Sequence, residues 1–122
     1  MAPDYAPDSA PDFAVGVMRE IIVALVRRDG PALSAHQLGV FLTCYLHDGD
    51  HTVRGLAKDL TVSKSVITRA LDRLGELSLT ARRLDPLDAR SVIVVRTPDG
   101  QAMLDDLRKI ATNFSLRTRG AM

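Results

Sequence analysis

Residues 79–97 read LTARRLDPLDARSVIVVRT and contain two stretches of strand character on either side of a turn. Leu79 to Leu84 is the first stretch, and Ser91 to Thr97, with the β-branched run VIVV, is the second. Between them, Asp85 followed by Pro86 opens a turn, because proline presets φ and the aspartate side chain can bond the backbone ahead. We therefore predict a β-hairpin over about residues 79–97.

Two short helices precede this hairpin, with a tight turn at Thr61 and Val62 between them and Ser63 placed to cap the second. The second helix has apolar residues on one side and small polar and basic residues on the other. Such a pair, joined by three or four residues, is typical of a helix-turn-helix, which we predict over about residues 53–77. The apolar side consists of Ile67, Ala70, Leu71 and Leu74.

The N-terminal segment repeats the triplet Ala-Pro-Asp three times within residues 1–12. Because proline recurs at every fourth position, this repeat predicts a flexible arm rather than a helix. Apolar residues then recur at helical spacing from Phe13 to Val26 and predict a helix with a broad apolar face. Residues 13–122 are expected to form one winged-helix domain whose terminal helices dimerise.

Two more helices complete the predicted fold. Ser34 and Gln37 have the spacing of a capping box and start one helix. Pro98 begins the last, whose apolar stripe runs to Phe114, while residues 115–122 have no pattern and are expected to fray. The fold class is mainly α with a small β-hairpin wing, an α+β winged helix-turn-helix.

The net charge of +1 conceals a division along the chain. Residues 1–50 carry seven acids and three bases, whereas residues 51–97 carry nine bases and five acids. A basic middle in an otherwise acidic chain suggests one face that binds a polyanion. With no apolar run near the roughly 18 residues of a membrane span and no basic leader, we expect a cytoplasmic protein.

Three other features have a functional and a structural interpretation. The single cysteine, Cys44, is either a redox sensor or apolar filler in its helix, and the second is favoured since no basic residue adjoins it. The turn His47 to His51 is either a divalent metal site or a polar turn, and again the second is favoured. With no nucleophile paired to a base and no phosphate loop, we expect neither an enzyme nor a cofactor or metal.

The helix-turn-helix and hairpin together resemble the MarR family of bacterial winged-helix regulators. The resemblance runs from about Leu33 to Leu107, and the wing string is its specific part. It implies a dimeric transcription regulator whose recognition helix enters the major groove and whose wing arginine reaches the minor groove. The matching strings are Leu33-Ser34-x-x-Gln37, Thr52-Val53-x-x-Leu56-Ala57-x-x-Leu60, Val62-Ser63-Lys64-Ser65-x-x-Thr68-Arg69-x-Leu71-Asp72-x-Leu74, Arg82-x-x-Asp85-Pro86-x-Asp88-x-Arg90-Ser91 and Thr97-x-x-Gly100.

The chain departs from the family pattern in two regions. Ser78 stands where the family usually has a glycine at the end of the recognition helix, and Gly75 lies inside that helix. We therefore expect a looser end or a helix one turn shorter, since glycine costs roughly 1 kcal/mol in a helix. Only one helix fits between Thr97 and Met122, where relatives end with a long helix pair, which puts the usual effector pocket and dimer in question.

Six residues are predicted to contact DNA. Arg69 is the candidate for a bidentate contact to a guanine edge, and Ser65 and Thr68 for shorter base or phosphate contacts. Arg90 on the hairpin is expected to enter a narrow minor groove, with Asp88 bracing its guanidinium. The predicted DNA-binding residues are Lys64, Ser65, Thr68, Arg69, Arg73 and Arg90.

The predicted function is a sequence-specific DNA-binding transcriptional regulator, a repressor that binds a pseudo-palindromic operator in double-stranded DNA as a homodimer. The prediction leaves room for a small-molecule effector as a further partner. The alternative is a winged-helix adaptor that docks on another regulator or a polymerase without reading DNA. The two differ in one observable, because an adaptor should retard no duplex at low salt.

Overall fold

The computed structural model describes residues 9–120, which form five helices and three strands. The predicted fold class, mainly α with a β-hairpin wing, is confirmed. Two compact units divide the chain: the winged-helix unit, Leu33–Leu104, and the terminal unit, made of the described residues before 33 and after 104. The elements are α1 Ala10–Arg27, α2 Ala35–Leu46, β1 His51–Thr52, α3 Val53–Leu60, α4 Lys64–Glu76, β2 Thr80–Asp85, β3 Asp88–Arg96 and α5 Pro98–Gly120.

Two residues in the left-handed conformation shape the ends of α3 and α4. Thr61 ends α3 with φ +56° and donates its N–H to the carbonyl of Lys58, which turns the chain towards α4. Beyond α4, Ser78 adopts φ +60°. Of the two effects expected from Gly75, a looser end or a helix one turn shorter, the structure contradicts the second, because α4 extends to Glu76 with Gly75 inside it. The left-handed backbone of a non-glycine residue such as Ser78 costs roughly 1–2 kcal/mol. The packing of the buried Leu79 and its neighbours must offset this cost.

The sheet has three antiparallel strands in the order β1-β3-β2. Thr52 is both a strand residue and a helix cap: it lies opposite Ile93 in β3, and its hydroxyl accepts the N–H of Gly55 to cap α3. β3 begins at Asp88, three residues before its predicted start at Ser91, and β2 is shifted one residue later than predicted, so the loop between them is reduced to Pro86 and Leu87. The strand β1 therefore joins the base of the wing to the start of the helix-turn-helix.

The core of the winged-helix unit surrounds Tyr45 on α2. Its hydroxyl donates to the carbonyl oxygen of Leu79 at 2.7 Å and accepts the N–H of Thr97 at 2.9 Å. A Cβ added to Gly100 in the first turn of α5 would lie 1.7 Å from this hydroxyl oxygen and 2.3 Å from the Leu79 carbonyl oxygen. Glycine at this position therefore lets α5 begin against the tyrosine.

The first helix begins earlier than the sequence predicted. Ser9 caps α1 by accepting the N–H of Asp12, so Ala10 to Asp12 are helical and the arm predicted over residues 1–12 is wrong at its end. The reason is that Pro11 lies in the first turn, where a helix needs no N–H from it. The remainder of the predicted arm, residues 1–8, lies outside the described residues.

The last helix also continues beyond its predicted end. Residues 115–120 were expected to fray, but α5 extends to Gly120. No proline interrupts this stretch, and Arg117 forms an ion pair with Glu20 on α1 while its guanidinium lies 5.9 Å from the Phe114 ring centre. Phe114 in turn lies against Phe13, with ring centres 5.6 Å apart. These contacts within the terminal unit stabilise the end of the helix.

Gly100→Ala tests the packing of α5 on Tyr45. We expect the free energy of unfolding in urea to fall by about 3 kcal/mol, because the new methyl group must displace the tyrosine hydroxyl and its hydrogen bonds. The matched control is Gly39→Ala in α2, whose Cβ would meet nothing within 4 Å and should stabilise the protein by about 0.5–1 kcal/mol. Equal effects of the two substitutions would contradict the packing argument.

Candidate nucleic-acid interface

The outward face of α4 carries four of the predicted DNA-binding residues. Ser63 caps the helix by accepting the N–H of Val66, as predicted, and the inward residues Ile67, Ala70, Leu71 and Leu74 are buried. This anchoring leaves a continuous polar surface on the other side of the helix. Its exposed residues include Lys64, Ser65, Thr68 and Arg69.

Arg73, also predicted to contact DNA, lies at the edge of this face. Its guanidinium donates to Glu76 one turn further on, at 2.9 Å, and its side chain is about one-third exposed. A cation already paired with a carboxylate gains less from a phosphate than an unpaired one. Arg73 is therefore a weaker candidate than Arg69.

The sequence analysis missed an ion pair that joins the recognition helix to the wing. Asp72 lies among the exposed residues of α4, and its carboxylate accepts a hydrogen bond at 2.5 Å from the Arg82 guanidinium on β2. The pair fixes the base of the wing relative to α4 and neutralises an acid on the face that would meet DNA. Asp72 and Arg82 both belong to the quoted family strings, but their ten-residue separation gives no helical or strand periodicity that would signal a contact.

The wing turn is held by the two aspartates that flank it. The Asp85 carboxylate accepts the N–H of Leu87 at 2.9 Å, and the Asp88 carboxylate accepts the N–H of Arg90 at 3.0 Å and the Ser91 hydroxyl at 3.2 Å. The Arg90 guanidinium, on a side chain 96% exposed, lies 3.8 Å from Asp88. The carboxylate thus holds the backbone of the turn by hydrogen bonds and reaches the guanidinium only as an ion pair.

The helix α3 and the start of α2 also carry exposed basic residues. Arg54 and Lys58 are exposed one turn apart on α3, the first helix of the helix-turn-helix. A surface cavity of about 200 Å³ has His36 of α2 and Arg69 of α4 among its lining residues. The sequence analysis gave none of Arg54, Lys58 and His36 a role, although the spacing of Arg54 and Lys58 was available as a signal.

Cys44 lies on α2 in the winged-helix unit, and the histidine turn follows that helix. Cys44 is buried, and burial raises the pKa of its thiol to about 11 although Arg96 opposes the shift. A thiol of this kind is poorly reactive, which supports the filler interpretation. In the turn, a His51 ring nitrogen lies 2.8 Å from the His47 carbonyl oxygen. Within residues 9–120 no three His, Cys, Asp or Glu side chains are grouped as metal ligands would be.

The terminal unit contains a larger surface cavity of about 520 Å³ between α1 and α5. Glu20 at its wall pairs with Arg19 and Arg117, and the hydrogen bond from Arg117 holds the pKa of Glu20 below its ordinary value. Apolar side chains form the rest of the wall beside further polar groups. The lining residues are Arg19, Glu20, Val23, Ala24, Arg27, Ile110, Asn113, Leu116 and Arg117.

A comparison with known protein families identifies the family of the helix-turn-helix and wing. Residues 33–92, which include the helix-turn-helix and most of the wing, match the sequence model of the MarR family. The chain belongs to the MarR family. Members of the MarR family are transcriptional regulators. No curated protein sequence matches the chain significantly.

Solved structures of MarR proteins share the fold. A mutant of S. aureus MepR bound to an oligodeoxyribonucleotide has a TM-score of 0.77 and 18% identity, over 90% of this chain and 78% of MepR. The regulator Tm0710 of Thermotoga maritima has a TM-score of 0.74 and 21% identity, over 91% and 78% of the two chains. BpsR of Bordetella bronchiseptica, whose DNA binding is regulated by 6-hydroxynicotinic acid, has a TM-score of 0.60 and 21% identity, over 99% and 86%. At these sequence identities, similarity to the solved structures establishes the fold.

Within residues 9–120, no helix is both long enough and apolar enough to cross a membrane.

Proposed function

We propose that this MarR-family chain is a cytoplasmic, sequence-specific DNA-binding repressor that acts on a pseudo-palindromic operator as a homodimer. The observation that carries the proposal is the exposed polar face of α4 beside a basic wing. Lys64 and Arg69 on the helix and Arg90 on the wing supply exposed positive charge, and the ion pair of Asp72 with Arg82 joins the two elements. A helix of this kind fits the major groove while the wing follows the backbone towards the minor groove.

Five of the six predicted residues are assigned a role in this proposal, and Arg73, paired with Glu76, is the weaker sixth candidate. Arg69 forms a bidentate contact with a guanine edge, while Ser65 and Thr68 make shorter contacts with bases or phosphates. Lys64 at the start of α4 binds a phosphate, and Arg90 enters the minor groove. The oligodeoxyribonucleotide bound to the MepR mutant, which shares this fold, supports the choice of DNA as the partner.

The homodimer is proposed to form through the terminal unit. One face of α1 exposes Val15, Met18, Ile22 and Val26, each between 46% and 78% accessible. Large apolar side chains aligned at helical spacing are costly in water and are characteristic of an interface. Leu116 on α5, 61% exposed, belongs to the same unit. A two-fold axis that pairs these helices would bury this surface in the dimer.

The cavity of the terminal unit is the proposed binding site of a small-molecule effector. Its volume of about 520 Å³ is within the range of small-molecule sites. Arginines and Asn113 at its wall, next to Val23 and Ile110, suit an organic anion with an apolar body. A ligand held between α1 and α5 would act on the helices that are proposed to dimerise.

Selection of bound sequences from random duplexes, followed by salt titration, tests the proposed function. If Lys64, Arg69 and Arg90, with or without Arg73, meet DNA in both protomers, their positive charges neutralise roughly six to eight phosphates per dimer. The logarithm of affinity should then fall with the logarithm of salt concentration at a slope of about −5 to −7. A slope shallower than about −2, or no retarded duplex at low salt, would favour the adaptor alternative.

Two arginine substitutions separate base reading from minor-groove binding. Arg69→Ala should weaken binding to the selected site by roughly 1–3 kcal/mol and relax base choice at one position per half-site, because it removes a base-edge contact. Arg90→Ala should weaken binding to selected and unrelated duplexes alike and remove a preference for A·T-rich flanks. Fluorescence anisotropy and repeated selection measure both effects.

Asp88→Ala is the control for these substitutions. Since the carboxylate orders the turn that carries Arg90, its removal should weaken binding, although less than Arg90→Ala does. If the Asp88 carboxylate only repelled the DNA phosphates, Asp88→Ala would instead bind DNA more tightly than wild type. Tighter binding by Asp88→Ala at matched salt would show that the aspartate acts only as an unfavourable charge.

Ile22→Glu tests the dimer. A charge in the middle of the apolar face of α1 should shift the protein from dimer to monomer in sedimentation at tens of micromolar, with little change in protomer stability because Ile22 is about half exposed. Leu46→Glu is the matched control, since Leu46 is 56% exposed but belongs to the winged-helix unit. A wild-type protein that sediments as a monomer with and without DNA would refute the homodimer.

A further inference from the structure

The tip of the wing is apolar. Leu87, one of the two residues between β2 and β3, is 94% exposed, the highest value among the large hydrophobic residues that the structure describes as exposed. Pro86 precedes it, and Leu84 on β2 is also exposed. A two-residue turn accepts polar residues readily, so the turn itself does not require a leucine at this position.

The turn presents Leu87 in a fixed orientation. Its N–H is bound by the Asp85 carboxylate on one side, and the Asp88 carboxylate binds the N–H of Arg90 and the Ser91 hydroxyl on the other. Ordering the backbone in the free protein removes part of the entropy that a flexible loop would lose on binding. The leucine is therefore set to enter a partner's surface without rearrangement of the wing.

The charges around the tip identify the partner. Between residues 82 and 91 the wing has three arginines and two aspartates, and both aspartates are engaged in hydrogen bonds with the turn. Residues 82–91 thus carry a net charge of +1, and because Arg82 is paired with Asp72, the exposed Arg83 and Arg90 supply the positive charge beside the tip. This charge favours an anionic partner such as DNA over an apolar protein groove. An apolar residue at the tip of a basic, rigid hairpin matches the way minor-groove proteins insert a side chain between base steps.

We propose that Leu87 is a wedge that enters the minor groove, partly unstacks one base step in each half-site and bends the duplex. This inference rests on the proposed function, since it assigns a role to the wing of a DNA-bound protein. Pyrimidine–purine steps unstack most easily, so the wedge selects TA or CA/TG steps under the wing without a hydrogen bond to any base. Arg90, two residues into β3, holds the adjacent groove electrostatically.

The experiment uses the full chain and a selected duplex with 2-aminopurine placed in turn at each position flanking the half-sites, and with a dye pair at the ends. Wild-type protein should raise 2-aminopurine fluorescence at one step per half-site and shorten the distance between the dyes. Leu87→Ala should lose both signals and bind about three- to tenfold more weakly, with an unchanged salt slope because no charge is removed. Leu84→Ala, the matched control on the same strand pair, should behave as wild type.

Three results would overturn the inference. If Leu87→Ala unstacks and bends the duplex as wild type does, the leucine is not a wedge, and the proposed function stands. If Leu87→Ala keeps its DNA binding and bending but changes the sedimentation of the protein, the tip contacts another protein chain instead. If wild-type protein binds no duplex at low salt, the proposed function fails and the wedge fails with it. Because both side chains are exposed, neither substitution should change the thermal unfolding temperature. Measuring this temperature for both variants separates a loss of DNA binding from misfolding.

Discussion

The hydrogen bonds of the Tyr45 hydroxyl are the constraint on which the winged-helix unit depends. One oxygen atom links α2 to the carbonyl group of Leu79, before the first wing strand, and to the N–H of Thr97, after the second. Both ends of the wing and the start of α5 are thereby fixed to a single buried side chain. Buried polar groups of this kind specify one arrangement because every alternative leaves them unpaired. Gly100 is the complementary requirement, since a side chain there would occupy the space of the hydroxyl.

Arg96 reinforces the same junction from the wing. Its guanidinium donates to the carbonyl oxygens of Cys44 and His47 at the end of α2 and lies 5.6 Å from the centre of the Tyr45 ring. A cation at this position satisfies carbonyls that the helix leaves unpaired and complements the helix dipole. The wing is thus anchored at its base by Tyr45 and Arg96 and at its side by Asp72, so that its orientation relative to the recognition helix is set before any partner binds.

Local signals in the sequence predicted most of the fold, and contacts between distant residues were the part it did not predict. The caps at Ser34 and Ser63 depend on residues three positions away, so periodicity and capping rules identified both helices. The start at Ala10 was missed because proline was treated as a helix breaker without regard to its place in the first turn. At the candidate site the outward residues of α4 followed from the buried stripe, whereas the pairing of Asp72 with Arg82 requires the three-dimensional position of the wing.

The order of the sheet, β1-β3-β2, leaves β2 as an edge strand. An edge strand presents unpaired backbone groups that can recruit a strand of another molecule and begin aggregation. Charged side chains on the edge are a common defence, and β2 carries Arg82 and Arg83 in succession. The basic charge of the wing therefore also opposes pairing of β2 with the edge strand of a second molecule. Removal of these arginines would weaken solubility together with any affinity for a polyanion.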